Sequence, residues 1–341
     1  MSTKINIESL HNFVSQSLTA YGMQENYAEM VAQVYTSATL RGVGHHDIYD
    51  FKGRLNNIEA NKININPEFK QLHAFGAMES WDADNTLGEL ACSFGIRKAM
   101  ELADVHGIGF CALQNTNHFL ASAPYVSYAA EKGYIAIVLA KSAVNMSMPN
   151  SEKSCMSALP MGFAYPTNQD YPVMLDFCTA YASMGQLHER KSNNKEVSPW
   201  WGSDVNGETT TSATDMIKGA RYPIGLHKGF GLSMLGEVLT GVMSSGTIMD
   251  QGCNENNHKS VTSHTAIAIK ADAFFSIEEF KEKSTYISDR AKELGGNSLH
   301  IPGEGSAKSQ SVILEQGYIE LKDDLIKDLN EFAVKLNINT L

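Results

Sequence analysis

The chain has 341 residues, of which 43% are hydrophobic and 19% charged, and its formal net charge is -11. Single cores stop growing at about 250–300 residues, so this length implies a sizeable core divided between two lobes. The acidic balance, with no long basic run, excludes a surface built to wrap nucleic acid or to rest on anionic lipid.

The five cysteines (Cys92, Cys111, Cys155, Cys178 and Cys253) are odd in number and contain no CxxC. They predict free thiols in a reducing compartment rather than a disulfide framework or zinc ribbon. The first residues, MSTKINIESLHNF, lack the apolar core of a signal peptide, and no later stretch is long and apolar enough to span a bilayer. The expectation is a cytoplasmic protein with no membrane partner.

In chain order, Leu10, Phe13, Val14 and Leu18 recur at helical spacing, and Gly22 supplies a stop. Met30, Val31, Val34, Tyr35 and Ala38 repeat the pattern up to Gly42. A third helix is expected from near His46, carrying Ile48, Phe51, Leu55 and Ile58. The texture then changes to turn residues and short extended stretches in KININPEFKQLHAFGAMESWDAD. From residue 86 helices (TLGELACSFGIRKAMELADVHG, ASAPYVSYAAEKG) alternate with buried strands (GIGFCALQN, YIAIVLAKS). YPVMLDFC and HTAIAIKADAF are further strands, while FGLSMLGEVLTGVMSSG, SIEEFKEKSTYISDRAKELG and the C-terminal DDLIKDLNEFAVKL are helical. Apolar strands separated by helices imply an α/β fold whose sheet is covered on both faces, and the last helix can pack back onto the first ones. His258 and His264, in the polar stretch NENNHKSVTSH, are expected to be exposed.

Neither GxGxxG after a strand nor GxxxxGK[ST] occurs, which weighs against a standard Rossmann dehydrogenase and a P-loop enzyme. PIGLHKGFGLSMLGEVL, residues 223–239, combines close glycines, Lys228 and a following helix start. It reads equally as a phosphate cradle or as a turn that lets the helix pack closely. HIPGEGSAKS, residues 300–309, places Glu304 where a ribose hydroxyl could be held, although Pro-Gly pairs commonly mark only a turn.

The stretch RGVGHHDIYDF, residues 41–51, holds two adjacent histidines with carboxylates one and four places beyond the second. Such a pair could be a solvated helix cap, a metal site or a proton donor. HHD has neither the His-x3-His spacing nor a third ligand nearby, and no HExxH exists, so no metal is expected.

Taken together, ATLRGVGHH, GIGFCALQNTNHF, AAEKGYIAIVLAKS, PVMLDFC, SDVNGETTT, PIGLHKGFGLSML and IPGEG, in that order, resemble the type-2 malate/L-lactate dehydrogenase family. Its relatives include ureidoglycolate, sulfolactate and 2,3-diketogulonate oxidoreductases. The likeness runs from about Ile7 to about Glu320. It implies a non-Rossmann NAD(P)-binding α/β fold with a mixed sheet. A helical lobe would form from residues 1–72 and 310–341, and the α/β lobe, binding cofactor and substrate, from residues 73–309. It also implies a homodimer that uses NAD or NADP, with NAD preferred. Carried over by position, Ser142, Asp176, His227, Lys228, Gly303 and Glu304 would contact the cofactor.

The family pattern RGxxSHGxxR puts His46 on its general acid/base histidine and His45 on the preceding serine. A second family histidine corresponds to His118, with Asn117 beside it, and His45 and Asn117 are expected to bind substrate. Reducing a 2-keto acid needs a hydride and a proton on the carbonyl oxygen, and imidazole gives and takes that proton in both directions. His46 is therefore expected to transfer the proton, and His118 to polarise the same oxygen or orient the substrate.

Three positions depart from the pattern: His45 for serine, Asp47 for glycine, and Asp50 where many members carry a carboxylate-binding arginine. ALP at 158–160 also replaces the usual TNP. Arg54, one turn on, can pair with Asp50 or reach the substrate, the pairing being expected; Lys141 is another candidate anion partner. The expectation is oxidation of a small 2-hydroxy acid, malate or lactate first, to its 2-keto acid. The alternatives are reduction of a cyclic imino acid or other cationic substrate, and a non-catalytic cofactor-binding sensor.

Overall fold

The computed structural model describes residues 1–151, 153–251, 262–296 and 298–341. A short strand, β1 (Ser2–Asn6), runs directly into α1 (Ile7–Ala20). Asn6 makes that junction: its Oδ1 accepts from the amides of Glu8 at 2.8 Å and Ser9 at 3.3 Å, two donors that a helix start leaves free. α2 (Glu25–Leu40) follows, and both helices bury the apolar stripe read from their spacing.

The third helix departs from expectation. It opens with a 3-10 turn at Ile48–Asp50 and becomes α-helical only as α3 (Phe51–Glu59). The cause is Asp47, whose carboxylate accepts from Gly44 N and Tyr49 N, each at 3.0 Å, and so holds the chain as a turn where a helix was expected. His46 consequently sits on that turn and not within a helix.

β2 (Lys70–Phe75) and β3 (Met78–Thr86) pair antiparallel, and α4 (Gly88–His106) carries the chain to β4 (Ile108–Thr116), parallel to β3. α5 (Ala123–Glu131) leads into β5 (Tyr134–Lys141), β6 (Pro160–Tyr165) and β7 (Val173–Cys178). An excursion follows through α6 (Met184–Ser192), β8 (Gly202–Ser203), α7 (Ala213–Lys218) and β9 (Ala220–Arg221). α8 (His227–Glu237) continues into a π-helical turn at Val238–Val242. The chain closes with β10 (Thr262–Lys270), α9 (Ile277–Gly295), α10 (Glu304–Gln316), β11 (Tyr318–Lys322) and α11 (Asp323–Leu336).

The main sheet is mixed, in the order β2-β3-β4-β10-β5-β6-β7, with β3–β4 its parallel pair. β10 enters late in the chain yet lies centrally, between β4 and β5, as its run of buried residues requires. α4 and α5 pack on β4, β10, β5 and β6, while the π-helical turn after α8 contacts β10, β4 and β5. The two chain ends meet in an antiparallel β1–β11 ribbon that sequence periodicity did not reveal, and α1 packs against α11. One apolar cluster extends from Ile5 to Ala333, so the terminal helices and the sheet share a continuous core. Among the described residues no helix is long and apolar enough to cross a membrane.

The thiols of Cys92 and Cys111 are buried, and those of Cys155 and Cys178 partly so, all four unpaired. Cys253 and His258 lie outside the described residues. His264 corrects its expectation: it has no exposed surface and stands in β10, opposite Leu113 and Ala140. Its Nε2 lies 3.2 Å from Thr116 Oγ1, and its ring lies against Phe119. The polar residues around position 258 hid the alternating apolar pattern that buries this strand.

Burial holds the His264 imidazole far down, at about 3 against an ordinary 6.5. The unfolded chain therefore binds a proton there that the folded chain refuses. His264 accordingly adds no penalty above pH 6.5 and destabilises progressively as pH falls from 6.5 towards 3. Thermal melts between neutral and mildly acid pH should fall less steeply in His264→Gln, by about 1.4 kcal/mol per pH unit. Parallel curves for the two proteins would contradict this assignment.

Candidate active site

A cavity of about 660 Å³ opens between the Arg41–His46 turn, the His118–Ala123 segment, the end of β5, strand β7 and the start of α6. Arg221, Gly303 and Ser306 complete its wall. This volume lies within the range of small-molecule sites. A smaller cavity of about 410 Å³, lined from α2, α4 and α5, contains none of the clustered imidazoles.

Three imidazoles come together at the larger cavity. The rings of His45 and His46 have centroids 4.2 Å apart, and those of His46 and His118 lie 4.9 Å apart. His46 Nδ1 stands 3.7 Å from Asp50 Oδ2, outside hydrogen-bond reach, and has no hydrogen-bond partner among the described residues. Burial raises Asp50, but His46, Arg54 and His118 outweigh it and hold this carboxyl below its usual range.

His118 is held quite differently. Arg54 Nη2 donates to its Nδ1 at 3.0 Å, and the amide of Leu120 donates to the same atom at 3.2 Å. Two donors aimed at Nδ1 make it an acceptor, which leaves the ring's single proton on Nε2. A second proton would have to displace a guanidinium. The ring is open to the cavity and walled by protein elsewhere, and burial, Arg54 and His46 together hold its imidazole well below the ordinary range.

Arg54 is fixed in turn by Glu89, which has no exposed surface: Arg54 Nε donates to Glu89 Oε1 at 2.8 Å, and Tyr35 Oη donates to the same oxygen at 2.8 Å. The Arg54–Asp50 pairing expected from helical spacing exists, but at 3.9 Å it is the longer contact, and Glu89 is the main partner. A fully buried carboxylate outcompetes a half-exposed one because it has lost more hydration. Gly88 closes the arrangement. A Cβ at this first residue of α4 would lie 2.1 Å from the carbonyl oxygen of Asn117, so the helix start touches the backbone that carries His118.

His46, Asp50 and His118 also offer ligand atoms within 4.8 Å of one another. Here the Arg54 guanidinium already supplies positive charge to this trio, through His118 Nδ1 and Asp50.

Of the other predicted residues, Ser142, Asp176 and Gly303 line the cavity. Asp176 accepts from Ala123 N at 2.9 Å, and burial pushes its carboxyl up. His227, Lys228 and Glu304 do not line it. Glu304 turns to Lys292 at 2.7 Å and to the amide of Ile301, while Gly303 forms the N-cap of α10 at the cavity wall. The Asn117 amide, expected to face substrate, donates instead to Asn85 and to the Thr86 carbonyl, fastening the loop. Lys141, expected as an anion partner, is fully buried, with its ammonium 2.7 Å from Thr247 O and 3.4 Å from Glu237. Glu89 had a legible signal, a carboxylate inside the apolar run LGELACSF, whereas nothing in the local sequence marks Arg221.

The tautomer of His118 has a direct spectroscopic readout. Nitrogen NMR of the labelled protein should show His118 as Nε2–H with no protonation between about pH 5 and 8. Glu89→Gln removes the charge that anchors Arg54 and should bring a titration into that window. A His118 that titrates normally in the parent protein would contradict the arrangement.

Comparison with known proteins now assigns the chain. Residues 5–330 match the family model described as malate/L-lactate dehydrogenase. The malate dehydrogenase of Pyrococcus abyssi is 28% identical over 346 residues, covering 98% of this chain and 95% of that protein. The malate/(S)-sulfolactate dehydrogenase of Methanothermus fervidus is 26% identical, covering 98% of each. The crystal structure of malate dehydrogenase from Entamoeba histolytica superposes with a TM-score of 0.91, covering 99% of both chains at 22% identity, and shares the fold. With its mixed seven-stranded sheet and its match across nearly the whole length, the chain belongs to the malate/L-lactate dehydrogenase family of oxidoreductases.

Proposed function

We propose that this chain interconverts a small 2-hydroxy acid and its 2-keto acid with a nicotinamide dinucleotide, NAD before NADP, with malate or lactate as first substrates. The observation that carries the reading is the pairing of two unlike imidazoles 4.9 Å apart at one cavity. His118 is locked neutral, with its Nε2–H left to donate a hydrogen bond. His46 has no such lock, and its Nδ1 faces the Asp50 carboxylate at 3.7 Å.

In the reducing direction His46 gives its proton to the keto oxygen and takes it back in the oxidising direction. His118 donates from Nε2 to the same oxygen as charge develops there, a contact that is stronger in the transition state than in the ground state. The bound coenzyme supplies the hydride. The donor set at the cavity suits that group: Ser142 and Ser306 offer hydroxyls, and the start of α10 at Gly303 offers amides and a positive dipole end to a phosphate. In this reading the helical lobe, residues 1–72 and 310–341, presents His46, and the α/β lobe, residues 73–309, presents His118 and the coenzyme.

Asp50 bears on the choice of substrate. Its carboxylate already faces Arg54 and His46 and so is not left free for a cationic imine. This favours acids over imino compounds.

A panel of 2-keto acids and cyclic imino acids with NADH and NADPH tests the reading. Turnover should be found on a small 2-keto acid and fall by about a hundredfold or more in His46→Ala, general acid–base catalysis contributing about 10²–10⁴-fold. Preference for an imine, or NADH binding with no turnover, would overturn it, the latter in favour of a sensor.

We also propose a cytoplasmic homodimer. α8 and the turn after it expose Leu232, Met234, Leu235, Val238 and Val242, each 39–54% accessible, an apolar strip that a second copy would cover. Light scattering should give twice the chain mass, and Leu235→Glu should shift it towards the monomer. A parent protein that is monomeric at micromolar concentration would refute the dimer.

A further inference from the structure

The active cavity is lined by three permanently cationic side chains, Arg41, Lys141 and Arg221. Two of them have a carboxylate to face: Glu131 stands 3.6 Å from Arg41, and Glu237 stands 3.4 Å from Lys141. Arg221 has none within ion-pair distance among the described residues, although only 5% of its surface is exposed. Its Nη1 donates to Ala182 O at 3.0 Å, and its buried Nε has no hydrogen-bond partner among the described residues. Holding a guanidinium out of water without a counter-charge is costly, and a protein retains such a group where a ligand supplies the missing charge.

We propose that Arg221 is the oxyanion-recognising residue of this site and takes the substrate carboxylate in a two-pronged contact. The assignment rests on the 2-keto acid reading above and names the residue that selects acids. Arginine suits the task because its planar fork of donors matches both carboxylate oxygens and keeps its charge at any working pH.

The backbone around Arg221 is fixed on both sides. Its N–H donates to Asn145 O at 3.2 Å, its carbonyl accepts from Ser147 N at 3.0 Å, and β9 pairs with β8. The carbonyl that accepts from its side chain, Ala182 O, belongs to the loop that leads into α6. The helix it leads into packs against His45: a Cβ on Gly185, the second residue of α6, would fall 2.3 Å from that ring. Arg221 is thus tied to the segment that leads into the helix packed on His45. The start of α6, which also lines the cavity, adds its positive dipole end to the same region. Asp176, the acid lining this cavity, accepts from Ala123 N and makes no ion pair with Arg221 among the described residues.

The test uses oxalate as a carboxylate probe, titrated calorimetrically into the full-length protein with and without NADH, and NADH affinity measured separately by fluorescence. In Arg221→Met, oxalate affinity should fall by about ten- to hundredfold while NADH affinity stays within about threefold. Arg221→Lys keeps the charge without the fork and should fall between. Undiminished oxalate binding in Arg221→Met, or absence of oxalate binding in the parent, overturns the proposal. So does a loss of NADH affinity, which would make Arg221 a coenzyme-phosphate ligand. Where Arg221→Met fails a circular-dichroism check of folding, Arg221→Lys decides alone: weaker oxalate with unchanged NADH supports the assignment, and no change refutes it. If the parent turns over no 2-keto acid yet binds oxalate through Arg221, the substrate reading falls and the anion site stands.

Discussion

Glu89 is a carboxylate with no exposed surface, and the Arg54 guanidinium 2.8 Å away supplies its counter-charge. That ion pair sets the site. Because Arg54 is held by Glu89 through Nε, its Nη2 is left pointing at His118 Nδ1, and the tautomer of His118 follows. Removing either partner would strand a buried charge, and the resulting relaxation would pass directly to the imidazole facing the cavity. Tyr35 from α2 and the Leu120 amide add second donors to Glu89 and to His118, so neither acceptor depends on a single contact.

The same logic of charge partners sorts the rest of the cavity. Cations with a carboxylate nearby, such as Arg41 and Lys141, act as structural pairs that hold α2 and β5 in place. Among the described residues Arg221 has no such partner. Position 50, where the family pattern carries arginine, holds an acid here, and Arg54 one turn later neutralises it. Positive charge is therefore kept beside the imidazole cluster by Arg54, with Arg221 in the same cavity wall, although the local pattern has changed.

Differentiation of the two histidines is a consequence of this arrangement. Both rings could titrate in isolation, and adjacent imidazoles would then share protons without direction. Two donors at Nδ1 take His118 out of that exchange, and in the proposed reading His46, beside Asp50, carries the proton. The arrangement resembles a general solution for acid–base sites, in which environments push two similar groups to different roles.

Much of the architecture was legible because it is encoded over a few neighbouring residues. The stripe Leu10–Phe13–Val14–Leu18, the apolar run of β5 and the amphipathic α11 each declare themselves by spacing, and the ordered motif blocks declared the family and the pair His46 and His118. The 3-10 turn after Asp47, the β1–β11 ribbon and the burial of His264 were not legible, since each depends on a contact that periodicity does not report. The site's electrostatics belong wholly to tertiary structure. Arg54 meets Glu89 across 35 positions and His118 across 64, and Arg221 meets Ala182 across 39. Sequence determined most of the elements and the histidine pair that lines the cavity; only the fold decided which charges are neutralised, because a charge's partner is chosen by proximity in space and by shared loss of water.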